Sequence, residues 1–371
     1  MMQRVLDLAK QGAKTTQPNP RVGCIIVKDG EIVGQGYHRI AGDLHAERVA
    51  LAEAGEKARG ATAYINLEPC CHQGRTPPCT DGLIDSGIVK VVSSMSDPNP
   101  RVGGSGHELL NNAGIEVVTN VLYDEALWLN RGFLSRMVRK RPWIVLKSAA
   151  TLDGRTAAYD GKSKWITGDA ARAEVQQIRA ECSAILTGIG TVLADDPNMN
   201  VRLEEEQTGS EVRQPIRVVL DSALQTPLDS RIIGNDQKLV IFTLSQDMDK
   251  TAALIEQGAE VIELAANAAG QLDLNAVLAE LANWECNEVL VEAGQTLSGA
   301  FLQQGLVDEL TLFYAGSLLG DQGKSMFEFD QALEFEKRAE FKISDVKMVG
   351  SDVLVEAMNP QSLIDLQVNS D

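Results

Sequence analysis

The stretch from Leu44 to Thr80 constrains the fold of this chain more than any other, because it holds residues suited to one metal site. His45 lies at the start of an apparent helix, Cys70 follows an apolar strand, and Cys79 lies at the start of a second helix. A zinc ion prefers a tetrahedron of His nitrogen and Cys sulfur, and a catalytic site leaves its fourth position for water. We therefore expect His45, Cys70 and Cys79 to be the protein ligands of a zinc ion.

Glu47, two residues after His45, is suited to carrying protons rather than to binding the metal. From the first turn of the helix its carboxylate can reach the open side of the ion and shuttle protons for the bound water. The motif H-x-E followed by P-C and a further Cys resembles that of the zinc deaminases of bases and nucleosides, which usually read P-C-x-x-C. Here eight residues separate Cys70 from Cys79. We predict Glu47 to be the catalytic residue.

Two alternatives to this ligand set follow from the residues themselves. The cysteines could be ordinary thiols and His45 a surface histidine, although four residue choices would then coincide with the ligand chemistry. Cys71 could also compete with Cys70 for the metal. We prefer Cys70 because Pro69 precedes it directly, as the motif requires.

The composition indicates a globular protein of about two domains. The 371 residues are 44% hydrophobic and 23% charged, and 52 acidic against 34 basic residues give a net charge of -18. This charge repels phosphate backbones, and the longest basic cluster, Arg136 to Pro142, is typical of a helix end that leads into a linker. The six cysteines do not resemble a secreted disulfide framework, and no apolar run is long enough for a membrane helix. We expect a cytoplasmic protein with no nucleic-acid or membrane partner.

The pattern up to residue 142 predicts a three-layer α/β domain with a mixed sheet. Two predicted strands flank Asp29-Gly30, a dipeptide typical of a tight hairpin. Asp43 is a candidate cap for the helix that begins near His45, and the prolines before Cys79 suit the entry to another helix. A longer amphipathic helix is predicted from Tyr123 to Arg139.

The hexapeptide PNPRVG occurs twice, from Pro18 to Gly23 and from Pro98 to Gly103. Proline fixes φ and biases the preceding residue toward an extended backbone, so each copy predicts a stiff loop that holds its Asn in place. Asn19 in the first copy could contact an amide or ring nitrogen of a substrate, or could be only a turn residue. For Asn99 in the second copy we favour the turn.

Beyond residue 142 a second α/β pattern predicts mostly parallel strands. Its predicted helices include Asp169–Glu181, Leu274–Asn283 and Leu297–Gln304. A buried strand ends at Glu292 and is followed by a Gly turn and a helix, an arrangement that often binds the phosphate of a ligand. The segment from Gly188 to Pro197 is a second turn of small residues at a strand end, where a nucleotide could lie. The chain has no G-x-G-x-x-G, so this pattern alone does not identify the ligand.

Together these motifs resemble those of the bifunctional deaminase/reductase of riboflavin biosynthesis. The similarity extends from about Leu6 to Gly320, and the matching runs are, in order, PNPRVGC, LHAE, LEPCCHQGRTPPC, DPNP, LKSAATLDGR, SKWITG, GTVLADDP and VEAGQTLSGAFLQQGLVDEL. The resemblance accounts for the wide spacing of the two cysteines, because similar proteins carry H-x-G-[RK]-T-P-P between them. It implies a cytidine-deaminase-like domain over residues 1–142 and a dihydrofolate-reductase-like domain over residues 143–371.

The resemblance implies two successive reactions on a pyrimidine ribosyl phosphate. Zinc-bound hydroxide would deaminate 2,5-diamino-6-ribosylamino-4(3H)-pyrimidinone 5′-phosphate by hydrolysis, with Glu47 as the proton carrier. NADPH would then reduce the ribosyl group to ribityl, giving 5-amino-6-(5-phosphoribitylamino)uracil. The implied cofactors are Zn²⁺ in the first domain and NADPH in the second. A homo-oligomer stays open as an alternative to a monomer.

The matching motifs also imply which residues contact each ligand. Contacts to the deaminase substrate are implied for Asn19, His72 and Arg75. Arg179 and Arg202 have a further physical rationale, because a guanidinium pairs well with the substrate phosphate. The implied NADPH residues are Ala149, Trp165, Thr191, Asp195, Ser222, Gly294, Gln295, Thr296, Leu297, Ser298, Gly299 and Ala300. The implied substrate residues of the reductase are Lys147, Ser163, Arg179, Met199, Arg202 and Glu292.

Two other functions stay open on the sequence alone. A nucleic-acid base deaminase could use the same chemistry at His45 and Glu47, but it would need a basic channel and would leave the chain after Pro142 unexplained. A non-catalytic zinc module for partner binding would close the metal site with a fourth protein ligand, such as Cys71. The number of protein ligands around the metal therefore distinguishes an enzyme from a structural module.

Overall fold

The computed structural model describes residues 1–73, 77–99, 102–203, 213–234, 237–332 and 334–367. Its internal contacts divide the chain into two compact units, one formed by Met1–Lys140 with Leu363–Asp371 and the other by Arg141–Ser362. Within the described ranges, no helix has the length and apolar character needed to span a bilayer.

Alternating apolar residues build a five-stranded mixed sheet in the first unit. Its strands are β1 (Gly23–Lys28), β2 (Glu31–Tyr37), β3 (Thr62–Ile65), β4 (Lys90–Ser93) and β5 (Glu116–Val118), in the order β2-β1-β3-β4-β5. β1 is antiparallel to β2 and β3, whereas β3, β4 and β5 run parallel. The predicted hairpin is confirmed, because Asp29 and Gly30 both have positive φ angles, 52° and 83°, as a two-residue type I′ turn requires.

Helices cover both faces of this sheet, which confirms the predicted three-layer arrangement. They are α1 (Met2–Lys10), α2 (Ala46–Ala54), α3 (Cys79–Asp85), α4 (Ser105–Asn112), α5 (Tyr123–Leu129) and α6 (Arg131–Arg139), with a 3-10 turn at Gly55–Ala58. Cys24 and Ile26 of β1 pack against α2, α3 and α4 on one face. Ile25, which points the opposite way, packs with Val5 of α1 on the other face.

The single helix expected from Tyr123 to Arg139 is interrupted at Asn130, so that prediction is wrong in its continuity. Asn130 leaves the helical conformation, with φ -106° and ψ 15°. Its side-chain oxygen accepts from the backbone N–H of Arg21 at 2.8 Å, and its side-chain nitrogen donates to the carbonyl of Arg21 at 3.1 Å. These bonds to a distant loop separate α5 from α6, and they depend on tertiary contact that helical periodicity does not contain.

A nine-stranded sheet forms the second unit. Its strands are β6 (Trp143–Thr151), β8 (Ala184–Gly188), β9 (Ile216–Leu220), β10 (Leu239–Thr243), β11 (Ala259–Glu263), β12 (Glu288–Val291), β13 (Glu309–Ala315), β15 (Lys342–Val349) and β16 (Asp352–Met358), while β7 (Arg155–Ala157) pairs separately with β14 (Lys324–Ser325). The order is β11-β10-β9-β8-β12-β6-β13-β16-β15. Neighbours from β11 to β13 are parallel, which confirms the prediction, and β16 and β15 add antiparallel pairs. The carboxyl ends of the parallel strands therefore meet at one edge.

The helices of the second unit follow the apolar periodicity of the sequence closely. They are α7 (Asp169–Glu181), α8 (Ile189–Asp195), α9 (Met248–Glu256), α10 (Leu274–Asn283), α11 (Gln295–Gln303) and, at the junction of the units, α12 (Pro360–Ile364), with a 3-10 turn at Phe335–Lys337. The bounds predicted for α7 and α10 are confirmed. α11 begins two residues before the predicted Leu297, directly after its N-cap Gly294. Gln295 and Thr296 therefore belong to the first turn of this helix.

One buried carboxylate, Asp308, binds both the beginning and the end of the second unit. The guanidinium of Arg141 donates to both carboxylate oxygens at 2.9 Å. The hydroxyl of Ser362 donates to Oδ1 at 2.7 Å, and the backbone N–H of Ile144 donates to Oδ2 at 2.8 Å. The first and last residues of this unit therefore meet at a single side chain.

Candidate active sites

The metal site predicted from the sequence is built from one strand end and two helix starts. His45 is the N-cap of α2, with an extended backbone at φ -69° and ψ 158°, and Cys79 is the first residue of α3, after its N-cap Pro78. The helix entry expected from the prolines is thus confirmed. The expected cap from Asp43 is wrong, because α2 starts only at Ala46 and no side chain caps it. Asp43 instead donates its backbone N–H to Ile40 in a preceding turn.

The three predicted ligand atoms converge. Nδ1 of His45 lies 3.5 Å from the sulfur of Cys70 and 3.4 Å from the sulfur of Cys79, and all three atoms lie within 4.8 Å of one another. Ordinary Zn–N and Zn–S bond lengths at a tetrahedral angle place nitrogen and sulfur about 3.6 Å apart. The residues therefore fit a zinc ion. The backbone N–H of Cys79 also donates to the sulfur of Cys70, at 3.4 Å.

Cys71 does not join this cluster, which consists of His45, Cys70 and Cys79 in the described part of the chain. The cluster thus offers three protein ligands, the number expected of a catalytic zinc site rather than of a closed structural one.

The thiols have strongly perturbed acidities. Hydrogen bonds from Cys79 and His45 outweigh burial and lower the pKa of Cys70 to about 4. The bond to Cys70, together with burial, raises the pKa of the Cys79 thiol. A cation at this point would favour ionisation of both sulfurs.

Glu47 is buried beside the ligand cluster, with only 3% of its surface exposed. Its Oε2 has no hydrogen-bond partner in the described residues. Burial, with a contribution from the Cys70 thiolate, raises the pKa of Glu47. A buried carboxyl group with an unsatisfied oxygen and a raised pKa is well suited to exchange protons with a reacting group.

A second histidine, His38, adjoins the site and was missed by the sequence analysis. Its ring packs edge-on against the ring of His45, with the centroids 5.4 Å apart. Nδ1 lies 3.2 Å from the carbonyl of Leu44, so Nδ1 carries the proton and Nε2 must accept from Nδ2 of Asn19, 3.0 Å away. This chain of bonds fixes the orientation of the Asn19 amide. In the sequence His38 is marked only by its position at the end of a predicted strand, seven residues before His45. No motif identifies it as a residue of the site.

The other residues predicted at the deaminase substrate are less defined. His72 lies in the segment between the two cysteine ligands, and its Nδ1 is buried without a hydrogen-bond partner among the described residues. Arg75 lies outside the described residues. Their contact with a substrate stays a prediction.

A second polar cluster joins three of the residues predicted at the reductase substrate. Glu292 follows β12, and its carboxylate accepts from Nε and Nη2 of Arg179 at 2.6 and 3.0 Å. Nζ of Lys147, on β6, lies 3.9 Å from the same carboxylate. Burial opposes ionisation of Glu292, but the charges of Arg179 and Lys147 outweigh it and lower the pKa of Glu292 to about 2. Burial also lowers the pKa of Lys147.

The remaining predicted substrate residues lie around this cluster to different extents. Arg202 interacts electrostatically with Glu292, and its backbone N–H donates to Gln176 on α7. Arg179 donates to the carbonyl of Asn200, next to the buried Met199. Among the described residues no hydrogen bond or ion pair joins Ser163 to the cluster, so its role stays a prediction.

Predicted cofactor residues gather at the carboxyl edge of the parallel strands. Thr296 and Gln295, in the first turn of α11, donate to the carboxylate of Glu328 at 2.7 and 3.0 Å. A side chain at Gly299 would place a carbon 1.7 Å from the carbonyl of Glu328, which explains the glycine there. At Gly188, the last residue of β8, an added carbon would lie 3.2 Å from Leu297, so the two predicted Gly turns are neighbours.

The other predicted cofactor residues lie on the loops and strands of the same sheet. Asp195, at the end of α8, pairs with Lys164 at 3.3 Å, next to Trp165. Trp165 is 71% exposed, and the guanidinium of Arg172 lies over its ring. The others are Ala149 on β6, Thr191 on α8, Ser222 after β9, Ser298, whose hydroxyl donates to Ala293, and Ala300 on α11.

Fold and sites define a class of protein in which a cytidine-deaminase-like domain and a dihydrofolate-reductase-like domain share one chain. Residues 1–95 match the family described as the cytidine and deoxycytidylate deaminase zinc-binding region, and residues 142–355 match the RibD C-terminal domain. The chain belongs to the RibD family, the bifunctional deaminase/reductases of riboflavin biosynthesis. The predicted fusion of a deaminase with a reductase is thereby confirmed.

Relatives match this chain over almost their whole length. The riboflavin biosynthesis protein RibD of Escherichia coli is 46% identical over 359 residues, and that of Haemophilus influenzae is 44% identical over 360, each match covering 95% of this chain and at least 95% of the relative. A structure of Acinetobacter baumannii RibD superposes with a TM-score of 0.88 at 43% identity, covering 96% of this chain and 97% of that one. The deaminase/reductase of Thermotoga maritima gives 0.85 at 37% identity, with the same coverage.

Proposed function

We propose that the first site deaminates 2,5-diamino-6-ribosylamino-4(3H)-pyrimidinone 5′-phosphate and that the second site then reduces the ribosyl group with NADPH. The T. maritima relative is described as a diaminohydroxyphosphoribosylaminopyrimidine deaminase and 5-amino-6-(5-phosphoribosylamino)uracil reductase. In this proposal the deaminase site lies within residues 1–142 and the reductase site within residues 143–371. The observation that carries it is the convergence of His45, Cys70 and Cys79 beside the buried Glu47.

In the deaminase, His45, Cys70 and Cys79 would hold a zinc ion. When bound, this ion supplies a Lewis acid that lowers the pKa of a water molecule and makes it a nucleophile near neutral pH. Glu47 accepts the proton of the attacking water and returns it to the departing ammonia, while the exocyclic C–N bond breaks and a C–O bond replaces it. The raised pKa of Glu47 suits both transfers, because a proton carrier works best when its pKa approaches the working pH.

Asn19 would orient the pyrimidine ring. Because Nδ2 of Asn19 donates to His38, its Oδ1 is the atom that it offers to a ligand. An amide oxygen recognises an N–H group, so Asn19 would select a ring nitrogen or amine that carries a hydrogen. His38 determines this preference without touching the substrate itself.

In the reductase, the turns at Gly188 and Gly294 would receive NADPH, which supplies a hydride when bound. The residues of the chain would then act on the sugar. The C1′–O4′ bond would break as the proton of the attached nitrogen passes to O4′, and the resulting C1′=N bond would take the hydride at C1′ and a new proton at the nitrogen. Lys147 is placed to supply that proton, since burial lowers its pKa and Glu292 lies 3.9 Å away. Arg202 pairs with the substrate phosphate, while Arg179 holds Glu292 in place.

The cysteine chemistry also supports the proposal that the protein works in the reducing cytoplasm. Among the described residues no cysteine forms a disulfide, and the two cysteine ligands can bind a metal only while they stay reduced.

Metal removal tests the two halves of this proposal in one preparation. The purified chain should release ammonia from the pyrimidine phosphate, lose that activity on dialysis against a chelator, and regain it with added Zn²⁺. Oxidation of NADPH by the deaminated product should survive the chelator, because none of its proposed residues binds the metal. Full ammonia release from zinc-free protein would contradict the deaminase half. Failure of the deaminated product to oxidise NADPH would contradict the reductase half.

A further inference from the structure

The carboxylate of Glu68 is an unusual hydrogen-bonding centre within the first unit. Only 3% of this residue is exposed. Its Oε2 accepts from the backbone N–H groups of Asp97 and Gly104, both at 3.0 Å, and its Oε1 accepts from those of Gly106 and His107, at 2.8 and 3.2 Å. Four backbone donors, two before α4 and two in its first turn, therefore meet on one side chain that is distant in sequence.

Part of this arrangement is a remote helix cap. α4 starts at Ser105, and its N-cap Gly104 has no side chain that could bind the free N–H groups of the first turn. Glu68, 36 residues before Gly104, provides the missing acceptor, and its charge lies at the end of the helix where an anion is favoured. A cap of this kind contributes roughly 1 kcal/mol to stability. Capping α4 would not require Glu68 to bind the N–H of Asp97 as well. It would also not require a residue only two positions before the metal ligand Cys70.

Glu68 and the residue after it make further contacts next to the metal site. Glu68 precedes Pro69 and the ligand Cys70, and its own N–H donates to the carbonyl of Met95 at 2.9 Å. A side chain at Gly106 would place a carbon 2.2 Å from the carbonyl of Pro69, so the first turn of α4 lies directly against the segment that carries Cys70. The segment that carries Cys70 is thus hydrogen-bonded at Glu68 and closely packed at Pro69, the two residues directly before the ligand.

The loop that Glu68 holds contains the second PNPRVG copy. Asp97, at its start, accepts from the N–H of Asn99 at 2.8 Å, and the backbone carbonyl of Asn99 accepts from Val102 and Gly103. The prediction of a turn at Asn99 is therefore confirmed. The charges of Glu68 and Cys70 both act on Asp97, which places the loop within electrostatic range of the ligand cluster.

We propose that Glu68 is a positioning residue of the deaminase, which fixes the Asp97–Asn99 turn beside Cys70 as one wall of the substrate pocket. The proposal rests on the deaminase function proposed above. Glu68 touches neither the substrate nor the metal. Its effect reaches the reaction through the loop, so it acts on the binding of the pyrimidine phosphate rather than on the chemical step.

The test compares two variants of the full-length zinc-loaded chain. Glu68→Gln keeps the size of the side chain but directs an NH2 group at backbone donors, which breaks at least one pair of bonds. Gly106→Ala keeps the Glu68 carboxylate but adds a carbon 2.2 Å from the carbonyl of Pro69 and 3.1 Å from Oε1 of Glu68, which pushes the first turn of α4 and the loop before it away from both. In both variants we expect the KM for ammonia release to rise at least about tenfold, with kcat within about threefold and zinc content unchanged. The exposed Glu116→Gln serves as the matched control and should leave all three quantities unchanged.

Oxidation of NADPH by the deaminated product is the internal measure of folding, and it should not change in either variant. If Glu68→Gln does not fold, Gly106→Ala provides the same comparison. An unchanged KM with a lower melting temperature would overturn the proposal and leave Glu68 as a helix cap only. Loss of zinc would overturn it too, because Glu68 would then support the metal ligand. A wild-type chain that releases no ammonia would overturn the deaminase function itself, an outcome that neither variant can mimic.

Discussion

The two active sites are assembled in opposite ways. The metal site takes all its ligands from one continuous stretch, His45 to Cys79, and needs only a strand end and two helix starts to bring them together. The second site joins Lys147, Arg179 and Glu292 from different strands and a helix, and 113 residues separate Arg179 from Glu292. The first site is therefore held by local geometry and by whatever ion its ligands share. The second is held by the order of the sheet and by a buried ion pair.

This difference predicts that each site can be disabled without the other. The largest effect is expected for Glu47→Gln, which keeps the size of the side chain but removes its capacity to take a proton. Ammonia release should fall roughly 10²- to 10⁴-fold, the usual contribution of a positioned acid–base group. Zinc content and NADPH oxidation by the deaminated product should not change.

The matched control for Glu47→Gln is Glu53→Gln on the same helix, where the exposed carboxylate only accepts from the N–H of Gln35. It should leave ammonia release within about twofold of wild type. If the Glu47 variant kept its deaminase activity, Glu47 would not be the proton carrier, and a residue outside this local stretch would have to take that role.

The second site should show its dependence on charge through acid stability. The pKa of Glu292 is about 2 in the folded chain, below its ordinary value of 4.5, so the ion pair stabilises the fold fully above pH 4.5. This contribution is lost as the pH falls from 4.5 toward 2, and it amounts to about 3 kcal/mol. Urea denaturation of wild type and Glu292→Gln across this range should show the difference in stability shrinking with the pH.

The control for that measurement is Glu174→Gln, which removes a more exposed ion pair between Glu174 of α7 and Lys347. Exposed pairs contribute less than about 1 kcal/mol, so this variant should stay close to wild type throughout. A Glu292 variant whose stability followed that of wild type at every pH would show that the buried pair does not hold the second site together.

The smallest effect is expected at the proposed cofactor turn. Thr296→Val removes the hydroxyl that donates to Glu328 but keeps the shape of the side chain. One hydrogen bond from this hydroxyl to the cofactor would be worth about 0.5 to 1.5 kcal/mol, so its loss should raise the KM for NADPH roughly two- to tenfold. Ammonia release should be unaffected. An unchanged KM for NADPH would argue against placing the cofactor at the start of α11.

The sequence predicted those parts of the molecule that depend on local chemistry. The ligand cluster follows from residue types and spacing, and the bounds of α7 and α10 follow from apolar periodicity and local start signals. The hairpin at Asp29-Gly30 follows from backbone preferences of two residues. In each case the determining contacts lie within a few residues or a single motif.

The identical PNPRVG copies show where such prediction ends. In the first copy, the backbone of Arg21 is bound by the side chains of Asn66 and Asn130, and the chain continues into a strand at Gly23. In the second copy, Glu68 binds the loop that follows, and the chain continues into a helix after Gly104. The two identical hexapeptides lead into different elements, a strand and a helix, because the partners that bind each region are distant. The interruption at Asn130 and the role of His38 escaped the pattern for the same reason.

The contacts of Asp308 with both ends of the second unit determine where the polypeptide could be cut and rejoined. Since Arg141 and Ser362 meet at one carboxylate, the polypeptide enters and leaves this unit at almost the same point. The unit is in effect an insertion, and residues that belong to the deaminase body lie beyond it. A cut after Lys140 would thus remove a buried piece of the first body, Leu366 included, whereas excising the insertion and rejoining its flanks by a short bridge would preserve it.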